Sequence, residues 1–269
     1  MTGRILPDLR FAAPQSAVTP YKPPGRNSRF RSKPAHGRRG RQIEASHPAV
    51  VEGRTVYAAS VRHEAEQMHV LIEGKNSWKI GNQIEKGRWK GFPVFTLTLE
   101  ERATCPRSCA LWVDCYGNQM HWAQRIEANA AFEDRLGLEL GVLQHRFPGG
   151  FAVRVHILGD FYSVGYVHLW REWLDLYPAL HVFGFSARHE GRTDPIARAL
   201  IRLVDERWER FAVRFSNAPH PEYTTVTIEH ADEKPADAIQ CPQQTGRTEN
   251  CGTCGLCWQT TRRIAFIVH

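Results

Sequence analysis

The chain has 269 residues, of which 42% are hydrophobic and 23% are charged, a composition typical of a globular protein that can bury a sizeable core. No apolar run reaches the roughly 18 residues that a membrane-spanning helix needs, and the first residues lack the apolar stretch of a secretory signal. We therefore expect a cytoplasmic protein with no membrane segment. The net charge of +7 indicates an anionic partner for the folded part only if the charge lies on that part.

The positive charge is concentrated in residues 1–41, which hold ten lysines and arginines against the single acidic residue Asp8. Six prolines and few apolar side chains accompany them, so we expect a flexible basic arm over residues 1–45. Such an arm binds nucleic acid by releasing counterions, or it merely keeps the protein in solution, and the sequence leaves both open.

Residues 46–90 form a predicted N-terminal extension. Two weak strand patterns, TVYAASV and MHVLIE, occur between residues 55 and 73. The segment that follows them, residues 74–91, is rich in glycine and lysine and predicts an exposed loop. We place the start of the main domain at residue 91.

Residues 91–269 alternate between strand-like and helix-like patterns. Strands are predicted over residues 94–100, 152–158, 182–186, 211–216, 224–229 and 263–269. Helices are predicted over about residues 118–145, from Ser163 onward and from Asp194 onward, the last two each preceding a one-sided apolar stripe. The repeated order of strand and helix favours a parallel sheet.

Alternate residues of the predicted strands separate into an apolar set and a polar set. The apolar set is Phe95, Leu97, Leu99, Val153, Val155, Ile157, Phe183, Phe185, Phe211, Val213, Phe215, Thr224, Val226, Ile228, Ile264, Phe266 and Val268. The polar set is Thr96, Thr98, Glu100, Arg154, His156, Ser186, Arg214, Ser216, Thr225, Thr227, Glu229, Arg263 and His269. A sheet covered by helices on both faces would show apolar runs instead, so we predict a partial (β/α)6 TIM-like barrel with a polar lumen. An antiparallel sheet with one face in water is the alternative.

All seven cysteines fall into two groups. Cys105, Cys109 and Cys115 follow the first predicted strand of the main domain, and the C-terminal segment 241–258 contains Cys241, Cys251, Cys254 and Cys257. Because disulfides are disfavoured in the cytoplasm, we interpret both groups as metal ligands. Three thiolates leave one iron of a [4Fe–4S] cluster open, and the C-x2-C-x2-C run resembles ferredoxin ligation. Zinc at the C-terminal four, or one cluster shared by both groups, stays open.

The loop after the first strand of a barrel lies at its mouth, which is where radical S-adenosylmethionine enzymes hold their cluster. The chain resembles that superfamily in this placement and in Tyr116, the aromatic residue after the third cysteine, although its spacing is C-x3-C-x5-C where the superfamily has C-x3-C-x2-C. The resemblance implies a barrel of radical-SAM type, S-adenosylmethionine as a cofactor, and a methionyl contact near Gly159 and Asp160.

A series of short motifs in a fixed order resembles the phage-associated "gene product 88" family over roughly residues 75–269. The motifs are KIG (79–81), FTLTLEERATCP (95–106), CYG (115–117), RVHILGDFYS (154–163), FGFSAR (183–188), RFS (214–216) and CP…C-x2-CG-x-CW (241–258). That family has no settled activity, so the resemblance implies a cysteine-ligated metal site and a shared fold.

Further candidate residues lie at the predicted strand ends. His156 and Asp160 are the predicted catalytic acid or base, with a satisfied buried histidine and a backbone-bonding loop carboxylate as the alternatives. Cofactor contacts are predicted for Tyr116, Gly159, Ser163, Ser186, Arg188, Arg214 and Ser216. The two arginines are suited to clamp a carboxylate or phosphate, unless they pair with Glu100 or Glu229. Near the cysteines, Trp112, Trp122 and Trp258 either shield a cluster or pack in the core.

Two functions from different classes follow from these patterns. The first is an iron–sulfur protein, whose catalytic form is a radical-SAM-like enzyme that acts on an unknown substrate in a polar lumen. The second is a noncatalytic accessory protein, stabilised by zinc or an iron–sulfur cluster, whose arm binds nucleic acid.

Overall fold

The computed structural model describes residues 43–219 and 222–268. Almost all of the predicted basic arm therefore lies outside the described residues. The described chain is a mixed α/β structure with a mostly parallel eight-stranded sheet.

The eight strands of the main sheet lie in the order β2-β3-β5-β6-β7-β8-β10-β9. They are β2 (Ile72–Glu73), β3 (Val94–Thr96), β5 (Phe151–Val155), β6 (Leu180–Ser186), β7 (Phe211–Ser216), β8 (Thr224–Ile228), β9 (Ile239–Gln240) and β10 (Ile264–Ile267). A separate parallel pair joins β1 (Val61–Arg62) to β4 (Arg125–Ile126). Within the main sheet β2 pairs antiparallel to β3, and the other neighbours pair in parallel.

Three long helices connect the central strands: α2 (Ala130–Arg146), α3 (Val164–Leu176) and α4 (Pro195–Arg207). The side chains of Ser163 and Asp194 cap α3 and α4 as predicted, accepting from the amides of Tyr166 and Ile196. Since β3, β5, β6 and β7 lie side by side in the sheet in the order in which they occur along the chain, crossovers of the usual right hand place all three helices on one face of the sheet. The predicted parallel sheet with outer helices is confirmed.

The other α-helices of the described residues are four or five residues long. They are α1 (Pro48–Glu52), α5 (Cys251–Cys254) and α6 (Leu256–Gln259). Within the described part of the chain, no helix is long and apolar enough to cross a membrane.

Two features differ from the predicted (β/α)6 barrel. Strands β2 and β9 are the two edges of the main sheet, so the described sheet is open. No long helix joins the described strands after β7, because only seven residues separate the end of β7 from the start of β8, and the route from β8 to β10 passes through β9 and the cysteine-rich segment. The described residues thus contain three long crossover helices and not six.

The predicted division of side chains between the two faces is wrong for β6 and β10. Phe183 lies beside Arg154 in the register, and Phe185 lies beside Arg214. Ile264 and Phe266 likewise lie beside threonines of β8. The alternation within one strand separates its side chains into two sets, but it does not show which set lies on the same face of the sheet as the polar set of the next strand. Only the packing between the strands decides that. The face that carries Arg154 is therefore partly aromatic and is covered by protein.

Two further expectations about the chain are also wrong. The helix predicted from residue 118 begins at Ala130, where Asn129 caps it through the amide of Phe132 at 2.8 Å. Segment 74–91 is not an exposed loop, because Ile80, Ile84 and Trp89 are buried in the main core. The predicted extension thus contributes to the same core as the sheet.

Candidate metal centres

The first group of cysteines lies in a loop between β3 and β4 that we call the three-cysteine loop, residues 105–119. Its main chain makes short turns, with the amide of Cys109 donating to Pro106 and the amide of Trp112 donating to Cys109. The loop ends in a 3-10 turn that begins at Tyr116, whose hydroxyl donates to the carbonyl of Ile157. The loop thereby contacts the end of β5.

Two buried arginines hold this loop in place. Arg102, whose φ is +63°, donates to the carbonyls of Trp112 and Val113 and, at 2.6 Å, to the side chain of Asn118. Arg125 is fully buried and makes a two-point ion pair with Glu101, with N···O distances of 2.6 and 3.0 Å. These contacts fix the loop through protein groups alone.

A second Arg125 contact extends this network to the loop itself. The Nη2 of Arg125 donates to the carbonyl of Gly117, and the hydroxyl of Tyr57 donates to the carbonyl of Asn118. Neither Arg102 nor Arg125 was among the residues that we predicted from the sequence. A buried ion pair leaves no motif in a single chain, because its two partners are brought together only by folding.

The second group of cysteines covers the sheet face that carries Arg154 and Arg214; we call residues 241–259 the C-terminal cysteine segment. The amide of Cys251 donates to the carbonyl of Lys79, and the amide of Gly252 donates to Ile80, so the KIG motif lies directly against it. Trp258 stacks on Trp89 at a centroid distance of 5.4 Å. This segment forms one layer of the core.

Arg214 anchors the C-terminal cysteine segment. It is fully buried, and its guanidinium donates to the carbonyls of Cys257, Thr260, Arg262 and Thr224. The donors predicted to clamp a carboxylate or phosphate are thus engaged with main-chain oxygens. Ser216, another predicted cofactor contact, ends β7 beside Thr225.

Within each group the thiols lie in electrostatic range of one another. Burial raises the pKa of Cys115 to about 11, with Glu101 and Cys109 among the neighbouring groups that act on it. Burial likewise raises the pKa of Cys251 to about 11, with Cys241 and Cys254 acting on it. All seven thiols are free of disulfides. Protonated, buried thiols must lose their protons when a metal binds.

Across residues 43–219 and 222–268, no group of three or more Cys, His, Asp or Glu side chains is arranged to hold a metal ion. The chemistry of the donors nonetheless suits a thiolate-bound group, since three thiols gather in one loop and four in another. The type of the donor atoms and their closeness along each segment therefore fit a metal centre, whereas the described positions of the side chains do not form a coordination site.

Arg154, which was not among the predicted site residues, lies between the three-cysteine loop and the C-terminal cysteine segment. Its Nη1 donates to the carbonyls of Val155 and His156, and its guanidinium lies 4.8 Å from the centre of the Phe185 ring. Among the described residues no carboxylate lies within ion-pair distance of it. Burial lowers the pKa of Arg154, and the neighbouring groups that oppose this are Tyr116, Cys251 and Cys257.

The predicted acid or base Asp160 lies in a closed network at the ends of β5 and β6. Its carboxylate accepts from Ser186 at 2.7 Å and from the amide of Ala187 at 2.8 Å. Burial raises the pKa of Asp160 to about 6 in spite of these hydrogen bonds. Its amide donates to the hydroxyl of Thr104, the residue before Cys105, so Asp160 is linked to the start of the three-cysteine loop.

The same network includes two predicted cofactor contacts. The Nη2 of Arg188 donates to the carbonyl of Thr104, and its Nη1 donates to Asp194 at 2.8 Å. Gly159 has a φ of +84°, and a Cβ there would lie 2.6 Å from the hydroxyl oxygen of Thr104. Ser163 is the cap of α3. These residues tie the loop to the sheet.

His156 lies in the hydrophobic core beneath α3. Its Nε2 is 3.1 Å from the hydroxyl of Tyr166, and its ring packs edge-on against Phe161. Arg154 instead contacts Phe185, so the two side chains lie on opposite faces of the sheet and do not share a lumen as predicted. Burial lowers the pKa of His156 to about 3, and the nearby Arg154 adds to that effect. The side chain is therefore neutral near pH 7.

Comparison with known proteins adds no family assignment. No family model, curated protein or solved structure matches the chain. The resemblance to the "gene product 88" family stays a prediction.

Proposed function

We propose that this protein binds iron–sulfur clusters through Cys105, Cys109 and Cys115 and through the four cysteines of the C-terminal segment. The observation that carries the proposal is the position of Arg154, a buried cation with no carboxylate partner among the described residues, whose ionisable neighbours are Tyr116 of the three-cysteine loop and Cys251 and Cys257 of the C-terminal segment. A buried charge requires compensation, and an anionic thiolate-bound cluster would supply it.

The two groups would have different roles. The three-cysteine loop offers three thiolates on a scaffold that Arg102 and Arg125 already hold, which suits a cluster with one open iron. The C-terminal segment offers four thiols, of which those of Cys251 and Cys257 pack against the main core, and this donor set suits a fully ligated cluster or a zinc ion.

A radical-SAM-like enzyme is the catalytic form of this proposal. A three-thiolate [4Fe–4S] cluster, when bound, supplies single electrons to S-adenosylmethionine at its open iron. In support, β3, β5, β6 and β7 follow one another in the sheet, with the three-cysteine loop after β3, an order typical of (β/α) barrels. The chain's own part would be to hold the loop through Thr104 and Asp160 and to exclude water with the aromatic layer of Trp89, Phe183 and Trp258.

Anaerobic purification with iron, acid-labile sulfide and zinc analysis tests the metal proposal. We expect a coloured protein that contains iron and sulfide. Replacing the first three cysteines with alanine should remove only part of the iron, and replacing the C-terminal four should remove the rest. A colourless protein, whether it holds zinc or no metal, would contradict the proposal. If iron is present, cleavage of S-adenosylmethionine under reducing conditions tests the enzymatic form.

The variant Arg154→Met tests whether the positive charge of Arg154 acts on a bound cluster. The substitution keeps the length of the side chain and removes its charge, so reduction of a nearby cluster becomes less favourable and its midpoint potential should become more negative. Arg171→Met, on the exposed surface of α3, is the matched control and should leave the potential unchanged. An unchanged potential in Arg154→Met would show that Arg154 does not act on a cluster.

A further inference from the structure

Residues 54–61, between α1 and β1, border two cavities that open at the surface of the described structure. One is aromatic and contains Trp122, whose side chain is 87% exposed, so the prediction that Trp122 shields a cluster is wrong. The other has a volume of about 650 Å³. It is lined by charged side chains, among them Arg54 and Glu100, and by aliphatic side chains, among them Ala49, Val56 and Val61. We call it the charged cavity; it contains none of the predicted metal ligands.

The ion pair between Arg54 and Glu100 makes only one of the two contacts that an arginine and a carboxylate can make. The Nε of Arg54 lies 2.9 Å from Oε1 of Glu100, and the amide of Thr55 donates to the same oxygen at 3.0 Å. Among the described residues, no hydrogen bond reaches Oε2 of Glu100, and none is donated by Nη1 or Nη2 of Arg54. The charged cavity is thus lined by one ion pair with an open acceptor and open donors.

The neighbouring pair of Arg125 and Glu101 shows the complete arrangement. It makes two N···O contacts, of 2.6 and 3.0 Å, and both side chains are buried. In the open pair, by contrast, Glu100 is 3% exposed whereas Arg54 is 53% exposed. A carboxylate that is withdrawn from water normally has both oxygens engaged, so the open oxygen of Glu100 indicates a ligand.

The open acceptor is fixed in place by the protein. Thr55 is buried, and while its amide donates to Glu100, its hydroxyl donates to Glu101 at 2.8 Å. The carbonyl of Arg54 accepts from the side chain of Arg102. The segment that carries Arg54 is therefore held against Glu100 before a ligand arrives, which reduces the entropy lost on binding.

We propose that the charged cavity binds a free α-amino acid with an aliphatic side chain. The ammonium group donates to Oε2 of Glu100, and the carboxylate accepts from the open guanidinium nitrogens of Arg54. Because the open acceptor and the open donors belong to one ion pair, the ligand must carry its two charges close together, as an α-amino acid does on a single carbon. The aliphatic side chains of the cavity contact the side chain of the ligand. A ligand with only one of the two charges leaves the other protein group without a partner.

Isothermal titration calorimetry of the full chain with glycine, L-valine, L-leucine and L-methionine tests the site. We expect affinity to rise from glycine to L-leucine, because the larger side chain buries more apolar surface. Two analogues of leucine each lack one charge: 3-methylbutylamine has no carboxylate, and 4-methylpentanoate has no ammonium group. Each should bind about tenfold more weakly than L-leucine, or weaker still, since a charge-assisted contact is lost. Absence of binding by all four amino acids, or an analogue that binds as tightly as L-leucine, would overturn the proposal.

Two variants assign the two charges of the ligand to their protein partners. Arg54→Met should weaken the binding of L-leucine about tenfold without weakening that of 3-methylbutylamine, and its circular dichroism should match the wild type because the side chain is half exposed. Glu100→Gln keeps an acceptor for Thr55 and should weaken the binding of both compounds. Arg207→Met, an exposed arginine outside the cavity, is the matched control and should leave affinity unchanged. Equal binding of L-leucine by Arg54→Met and the wild type would refute the assignment. None of these outcomes depends on whether a cluster is present.

Discussion

The two cysteine-containing regions are stabilised in different ways. The three-cysteine loop is held by charged side chains, above all Arg102 and the buried pair of Arg125 and Glu101. The C-terminal cysteine segment is held by aromatic packing through Trp258 and by main-chain hydrogen bonds to Lys79, Ile80 and Arg214. The first region is thus a preorganised surface loop, whereas the second is part of the core that covers the sheet.

The largest expected effect comes from breaking the charge network of the first region. Glu101→Ala leaves the fully buried Arg125 without its carboxylate, so we expect the free energy of unfolding to fall by about 3–5 kcal/mol. Urea denaturation measures this change, and hydrogen exchange should show faster opening of residues 105–119. Asp175→Ala, which breaks an exposed pair with Arg207, is the control and should have little effect. If Glu101→Ala lowers the free energy of unfolding as little as the control does, the charge network does not stabilise the three-cysteine loop.

A similar loss in the free energy of unfolding is expected when the aromatic packing of the second region is removed. Trp258→Ala removes a buried ring that contacts Trp89 and Phe183, and large-to-small changes of this kind cost about 3–5 kcal/mol. Hydrogen exchange should increase in residues 251–259 while residues 105–119 stay protected. If both regions open together, the two cysteine regions are one cooperative unit and the comparison fails.

A smaller effect is expected at Gly159, which joins the three-cysteine loop to β5. An alanine there combines a φ of +84° with a Cβ that lies 2.6 Å from Thr104 and 2.7 Å from Leu99, so we expect a loss of about 1–3 kcal/mol. Gly91→Ala has a similar φ of +93° but no atom within 4 Å, and it separates backbone strain from the steric clash. Gly149→Ala, which also has open space, should be close to neutral. Thermal unfolding of the three variants tests this order.

The effect that is smallest near neutral pH is the pH dependence of stability. The pKa of His156 is about 3 in the folded protein, below that of a histidine in the unfolded chain. Between these two values the unfolded state binds more protons at His156, so the contribution of His156 to stability is complete above about pH 6.5 and falls as the pH decreases, by up to about 1.4 kcal/mol per pH unit. Asp160, whose pKa burial raises to about 6, acts in the opposite direction below that pH. His156→Phe should make this slope shallower in urea titrations between pH 6.5 and pH 4.5. An unchanged slope would show that another group causes the acid sensitivity.

Local signals in the sequence predicted much of the sheet and helix pattern. Phe211–Ser216 agrees with the predicted strand at both ends, and α3 and α4 begin where Ser163 and Asp194 were expected to cap them. These features depend on residues that are close to one another along the chain, and such residues can be read from a single sequence. The helix expected from residue 118 failed because the segment before Asn129 is held by Arg125 and its distant partners, which no local pattern records.

The sequence by itself determined the two groups of cysteines, the position of the basic segment and the order of strands and helices, because each is a property of neighbouring residues. Only the tertiary structure decided that the sheet is open, that Phe183 and Phe185 lie beside arginines, and that Arg154 has Tyr116 of the three-cysteine loop and two thiols of the C-terminal segment among its neighbours. The physical reason is that contacts between residues far apart in the chain decide which side chains of neighbouring strands share a face of the sheet. Such contacts also decide which buried charges pair.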